Sequence, residues 1–215
     1  MGFFLGGRDA LIVVDMQRDF LPGGALAVAG GDWILPGINA LMDHFRQREG
    51  RIILTQDWHP PGHLSFASSH PGKNPFAPVA GIEGIGPLLW PDHCVAGSAG
   101  ADFSPQLETV GAHLVIRKGY HRAIDSYSTF VENDRLTPTG LAGYLKEVAA
   151  GRIFLCGLAL DYCVYWSAVD GRKKGFEVVV IPDLCRGIGA RSSAEALQAM
   201  NGLGILTARP EEIMA

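Results

Sequence analysis

Apolar runs of strand length recur along the chain: "ALIVV" (10–14), "RIILT" (51–55), "HLVIR" (113–117), "RIFLC" (152–156) and "EVVVI" (177–181). Each is rich in β-branched residues and nearly continuous rather than alternating, the pattern of strands covered on both faces in a parallel sheet. A shorter run, "GILTA" (204–208), adds a sixth. Helical periodicity fills the gaps. Ile34, Ile38, Leu41, Met42 and Phe45 recur at helical spacing over 34–49, and Gly50 is placed to end that helix. In "TPTGLAGYLKEVAA" (137–150), Thr137 reads as a cap, Pro138 as the first helical position and Gly151 as the stop. Two more helices are expected from about Tyr162 to Lys174 and from about Ser192 to Asn201. Strand–helix alternation of this kind predicts a three-layer α/β/α sandwich around a mostly parallel sheet of about six strands.

Residues 56–112 break the alternation with repeated Pro, Gly, Ser and His. Structureless stretches that long in a compact domain are usually functional. No linker or internal repeat separates them from the rest, so 1–215 reads as a single domain with one elaborated loop.

Composition narrows the partners. With 47% hydrophobic and 19% charged residues, 215 residues suffice for one sizeable core. A net charge of −4 without a basic run argues against nucleic acid, and no apolar run reaches membrane-spanning length. The opening "MGFFLGGRDALIVV" is interrupted by Arg8 and Asp9 and lacks the features of a secretory leader. Cys94, Cys156, Cys163 and Cys185 are scattered, without a CxxC pair. Disulfides are not expected, and a cytoplasmic setting is.

The chemistry gathers where strands end. Asp15 follows the first strand, Asp57 and His59 the second, Lys118 the third, and Gly157 and then Cys163 the fourth. In an open parallel sheet the ligand crevice lies at those carboxyl ends. A lone cysteine is more often a buried apolar residue. In "GLALDYCVYW" (157–166), however, Cys163 falls at a helix start, where the macrodipole favours thiolate. Asp57 and His59 point to one side of extended backbone, so they are able to share a metal. His93, in "WPDHC", is a third candidate ligand, and His63 a further one. His44 on a helix, His113 at a strand start and His121 in a turn read as structural or surface residues.

Together, "LIVVDMQRDFLPGGALAVAGG", "LTQDWHPPGHLSFAS", "WPDHCVAGSAGADF", "RKGYHRAIDSYSTF" and "LCGLALDYCVYWSAVD" resemble the nicotinamidase/pyrazinamidase branch of the isochorismatase-like cysteine hydrolases. The resemblance implies a catalytic triad of Asp15, Lys118 and Cys163, and a divalent metal (Zn, Fe or Mn) held by Asp57, His59 and His93. His63 and Ser65 are both open as additional ligands. It implies a cis peptide at Leu158–Ala159, with the Ala159 and Cys163 amides forming an oxyanion hole. Phe20, Leu26, Trp90, Tyr127 and Leu158 match positions around the substrate ring. The implied reaction is hydrolysis of nicotinamide to nicotinate and ammonia, with pyrazinamide as a second substrate and NAD salvage as the setting. The partner is then a small amide, and homo-oligomerisation is left open. Two other readings stand beside it: a related metal-poor hydrolase of maleamate or N-carbamoyl amides, and a paralogue that binds an aromatic amide without turnover. A metal or redox sensor using Cys94 beside His93 is a third.

Overall fold

The computed structural model describes residues 3–215, so the first two residues of the opening stretch lie outside it. Six strands form one sheet: β1 (Asp9–Val14), β2 (Arg51–Asp57), β3 (Leu114–Lys118), β4 (Arg152–Leu158), β5 (Glu177–Arg186) and β6 (Leu206–Thr207). The order is β3-β2-β1-β4-β5-β6, and every pairing is parallel. β1 is buried at all six positions, and β2 and β4 at all but their first residue, as their continuous apolar runs require. A fully buried Leu or Ile in these strands contributes about 1.5–3 kcal/mol. β3 departs from the continuous pattern. It is an edge strand whose Val115 and Arg117 face solvent, so it alternates.

The helices are α1 (Leu35–Gln47), α2 (Leu141–Glu147), α3 (Tyr165–Lys173), α4 (Ala190–Gly202) and the short α5 (Pro210–Met214), which the sequence pattern did not predict. The chain winds outward from β1 to β3, then returns to β4 and winds the other way. Right-handed crossovers therefore place α1 on one face and α3 and α4 on the other, with α5 packed against α1. The start expected for α2 at Thr137–Pro138 is wrong. Val131 and Pro138 form an antiparallel bridge, and the Asp134 carboxylate accepts from both the Thr137 amide and its hydroxyl, so the helix begins only after Gly140. Among the described residues, no helix is long and apolar enough to cross a membrane.

The winding direction reverses between β1 and β4, and a crevice opens at their carboxyl ends. Residues 56–112 close over it. Bridges His59–Val95, Phe66–Trp90 and Pro78–Leu88 fold this segment back on itself. The peptides Leu158–Ala159 and Gly86–Pro87 are both cis.

Candidate active site

Four strand ends converge on the Lys118 ammonium, which is fully buried. Its Nζ lies 2.8 Å from Asp15 Oδ2 and donates to Asp57 Oδ1 (2.5 Å), the Ser126 carbonyl (3.0 Å) and Cys163 Sγ (3.4 Å). Asp15, just past β1 at φ +50°, is held from β2. Its amide donates to Thr55 Oγ1 (3.1 Å), and that hydroxyl donates to Asp15 Oδ1 (2.5 Å). Gly157 lets β4 approach closely, because its φ is +113° and a Cβ there would strike the Val14 backbone. Beyond it the chain forms a π-helical turn, Leu160–Val164, that leads into α3. The Ser167 hydroxyl donates to the Cys163 carbonyl (2.6 Å), which fixes that turn against the helix.

Burial and pairing set the protonation states. Burial pushes Asp57 up, but Lys118 and then His59 outweigh it, and its carboxyl ends well below the ordinary range. For Asp15 burial wins over Lys118, and the carboxyl is raised. Burial also drives the Cys163 thiol well up, against the pull of Lys118 and with Asp15 and Asp57 adding to it. One ammonium serves two carboxylates here, and burial favours the thiol of Cys163 against the pull of the helix start and of Lys118.

The histidines complete the other side. His59 Nδ1 donates to the Gly119 carbonyl (2.9 Å) and His93 Nδ1 to the Pro91 carbonyl (2.8 Å), so each ring when neutral presents its Nε2 lone pair. Against the effect of burial, Asp57 raises His59 and favours a proton on that Nε2 until a cation displaces it. The two Nε2 atoms lie 3.8 and 3.9 Å from Asp57 Oδ2, and the three ligand atoms fall within 4.8 Å of one another. His59 Nε2 is buried without a hydrogen-bond partner. Burial and the neighbouring His59 lower His93 to about 4, which keeps it neutral. Two imidazoles with free lone pairs and one carboxylate fit a divalent cation. His63 and Ser65 lie beside this cluster and bond to each other. The Ser65 hydroxyl meets His63 Nδ1 at 2.7 Å, and His63 Nε2 donates to the carbonyls of His121 (2.9 Å) and Ile124 (3.1 Å).

Phe20, Leu26, Trp90 and Tyr127 line a narrow cavity that also contains Cys163, Ala159, Asp57 and His93. Leu158 is buried but turned away, beneath Gly31. Several residues escaped the sequence reading. Gln17 clamps the Asp57 backbone: its Nε2 donates to the Asp57 carbonyl (2.8 Å), and its Oε1 accepts from the Asp57 amide (2.8 Å). Asp125 faces the cavity with one buried carboxylate oxygen unpartnered. Tyr162 forms part of the wall next to the sulfur. Two residues' distance from Asp15 was the one signal pointing to Gln17; the other two needed the fold.

The isochorismatase domain matches residues 9–210. A nicotinamidase of Acinetobacter baylyi is 50% identical over 91% of this chain and 90% of that protein. PnC1 of L. infantum, solved in complex with nicotinate, superposes with a TM-score of 0.86 at 39% identity, covering 99% of this chain and 98% of that one. The pyrazinamidase of Pyrococcus horikoshii in complex with zinc gives 0.78 at 37% identity, over 94% and 99%. With a family model spanning nearly all of its length and relatives this similar, the chain belongs to the isochorismatase family.

Proposed function

We propose that the chain is a nicotinamidase, which hydrolyses nicotinamide, and pyrazinamide likewise, to the acid and ammonia. The observation that carries this reading is the arrangement of Asp15, Lys118 and Cys163 around one cavity, in a chain 50% identical to a nicotinamidase. Asp15, its basicity raised by burial, takes the thiol proton as Cys163 Sγ attacks the carboxamide carbon. The amides of Ala159 and Cys163 receive the developing oxyanion, and each such donor is worth about 2.7–4 kcal/mol. Asp15 then returns the proton to the departing ammonia, and water cleaves the thioester on Cys163 to release the acid. Lys118 keeps Asp57 ionised and steadies the sulfur as charge develops.

Asp57, His59 and His93 would hold the metal, with Zn²⁺, Fe²⁺ and Mn²⁺ all suited to this donor set. Bound there, it would supply a Lewis-acid anchor for a ring nitrogen and for water. Trp90 Nε1 donates to Tyr127 Oη (3.2 Å), which holds two aromatic walls rigid against a flat ring. The one domain acts on a small amide, and its product would feed NAD salvage.

The test is ammonia release from nicotinamide by the purified protein, run beside Cys163→Ala. Release that the substitution cuts by more than about 10³-fold supports reaction and nucleophile together. Absence of release after resupply of Zn²⁺, Fe²⁺ and Mn²⁺ in turn would overturn the substrate.

A further inference from the structure

The cavity at Cys163 leaves only about 30 Å³ to the centre of a water molecule. That is room for one or two waters and less than a pyridine ring occupies, so the walls that part it from neighbouring space bear on what reaches the sulfur. On the outer side of Tyr127 and Tyr162 runs an open groove with about 450 Å³ by the same measure. These two tyrosines are the lining residues common to both spaces. Trp166 and Tyr165, on the first turn of α3, give the groove aromatic faces suited to a flat ring.

The two tyrosines are not anchored alike. Tyr127 Oη accepts from Trp90 Nε1 and donates to the Gly86 carbonyl (3.1 Å), so its ring is tied at the tip. Tyr162 has no counterpart to those bonds among the described residues. Its ring rests edge-on against Trp90 and Tyr127, with centroids 5.2 and 5.4 Å away. Its backbone, in contrast, is fixed. The Tyr162 amide donates to the Ala159 carbonyl (3.1 Å), and the preceding Asp161 carboxylate accepts from the Ile188 and Gly189 amides and the Ser192 hydroxyl. Rotation of one side chain is therefore the least costly way to join groove and cavity.

We propose that the Tyr162 side chain is a gate between the outer aromatic groove and Cys163, and that its ring sets the largest planar amide that reaches the sulfur. This rests on Cys163 being the nucleophile for aromatic amides, but the gate is measurable without turnover. Ile188, 44% exposed, also lines the cavity and marks the competing route.

The experiment alkylates the full-length protein with iodoacetamide and, separately, with N-phenylmaleimide, reading Cys163 occupancy by mass spectrometry. The ratio of the two rates within one variant cancels changes in thiol acidity. Tyr162→Ala should raise the aromatic-to-small ratio about tenfold, and Tyr162→Trp should lower it. If Tyr162→Ala does not fold, Tyr162→Leu takes its place. Unchanged ratios in the Tyr162 variants, or the same rise in Ile188→Ala, would overturn the gate. The variants are then assayed with nicotinamide and the ring-fused quinoline-3-carboxamide, where Tyr162→Ala should shift kcat/KM toward the larger amide. Gated labelling without hydrolysis of either amide sinks the nicotinamidase reading alone. Nicotinamide hydrolysis with ungated labelling sinks the gate alone.

Discussion

Asp15, Lys118 and Cys163 sit at strand ends or one turn beyond, whereas His59 and His93 are carried by the loop that folds over the sheet. On the sulfur side, one ammonium is shared: Lys118 touches two carboxylates, a carbonyl and the thiol. On the histidine side, each ring uses its Nδ1 on a backbone carbonyl and holds its Nε2 open. Asp57 belongs to both, with Oδ1 toward Lys118 and Oδ2 toward the rings. The sulfur side holds its counter-charge within the fold, since the Asp15 Oδ2 that lacks a hydrogen bond lies 2.8 Å from the Lys118 ammonium. The histidine side keeps an unpartnered buried nitrogen, the arrangement of a site finished by a cation.

Removing the shared ammonium breaks that contrast most severely. Lys118→Met leaves Asp15 and Asp57 buried without their counter-charge. Denaturant unfolding should show a loss of about 3–5 kcal/mol, with hydrolysis abolished. Metal exchange comes next and probes one side alone. Adding Zn²⁺ to chelator-stripped protein at about 100 times its Kd should add about 2.7 kcal/mol of stability. Asp15→Asn, on the sulfur side, should leave that increment intact; its disappearance would merge the two regions into one site.

Asp15→Asn has a second readout with opposite signs. A carboxylate beside the sulfur disfavours thiolate, so its neutralisation lowers the thiol's pKa and more thiolate exists at a given pH. Alkylation of Cys163 near pH 8 should rise about tenfold while amide hydrolysis falls, because the base is gone. If both fall together, Asp15 activates the thiol in either reaction, as the acceptor of its proton. The smallest effect separates neighbour from ligand. His93→Ala should weaken Zn²⁺ by more than about 100-fold and His63→Ala by less than about tenfold, measured by chelator competition. Equal losses would bring His63 into the ligand set.

Much of this was legible in the residue pattern because parallel strands are buried on both faces and so write themselves as unbroken apolar runs. The same physics explains the misfit at β3, whose outer positions are wet because nothing pairs beyond it. Thr137 and Pro138 have the chemistry of a helix start, but Asp134 and Val131 claimed them first, a tertiary contact no local pattern encodes. The strand-end rule located Asp15, Asp57, Lys118 and Cys163. It did not give the state of the thiol, which depends on how many charges share Lys118. Nor did it reveal which histidine nitrogens were already engaged by carbonyls. Tyr162 and Asp125 stayed hidden because they matter only through the cavity they face.

The sheet order also has a consequence in time. Asp15, the histidines and Lys118 all precede Cys163 in the chain, and β4, which delivers the thiol, docks beside β1 rather than at the edge next to β3. During synthesis from the N terminus, the proton acceptor and the lysine leave the ribosome before the sulfur they govern. The last of these groups to arrive is the reactive one, and its strand adds to the β1 edge of the three strands made before it. Nascent chains stalled before β4 would thus carry the histidine cluster without the nucleophile, never the reverse.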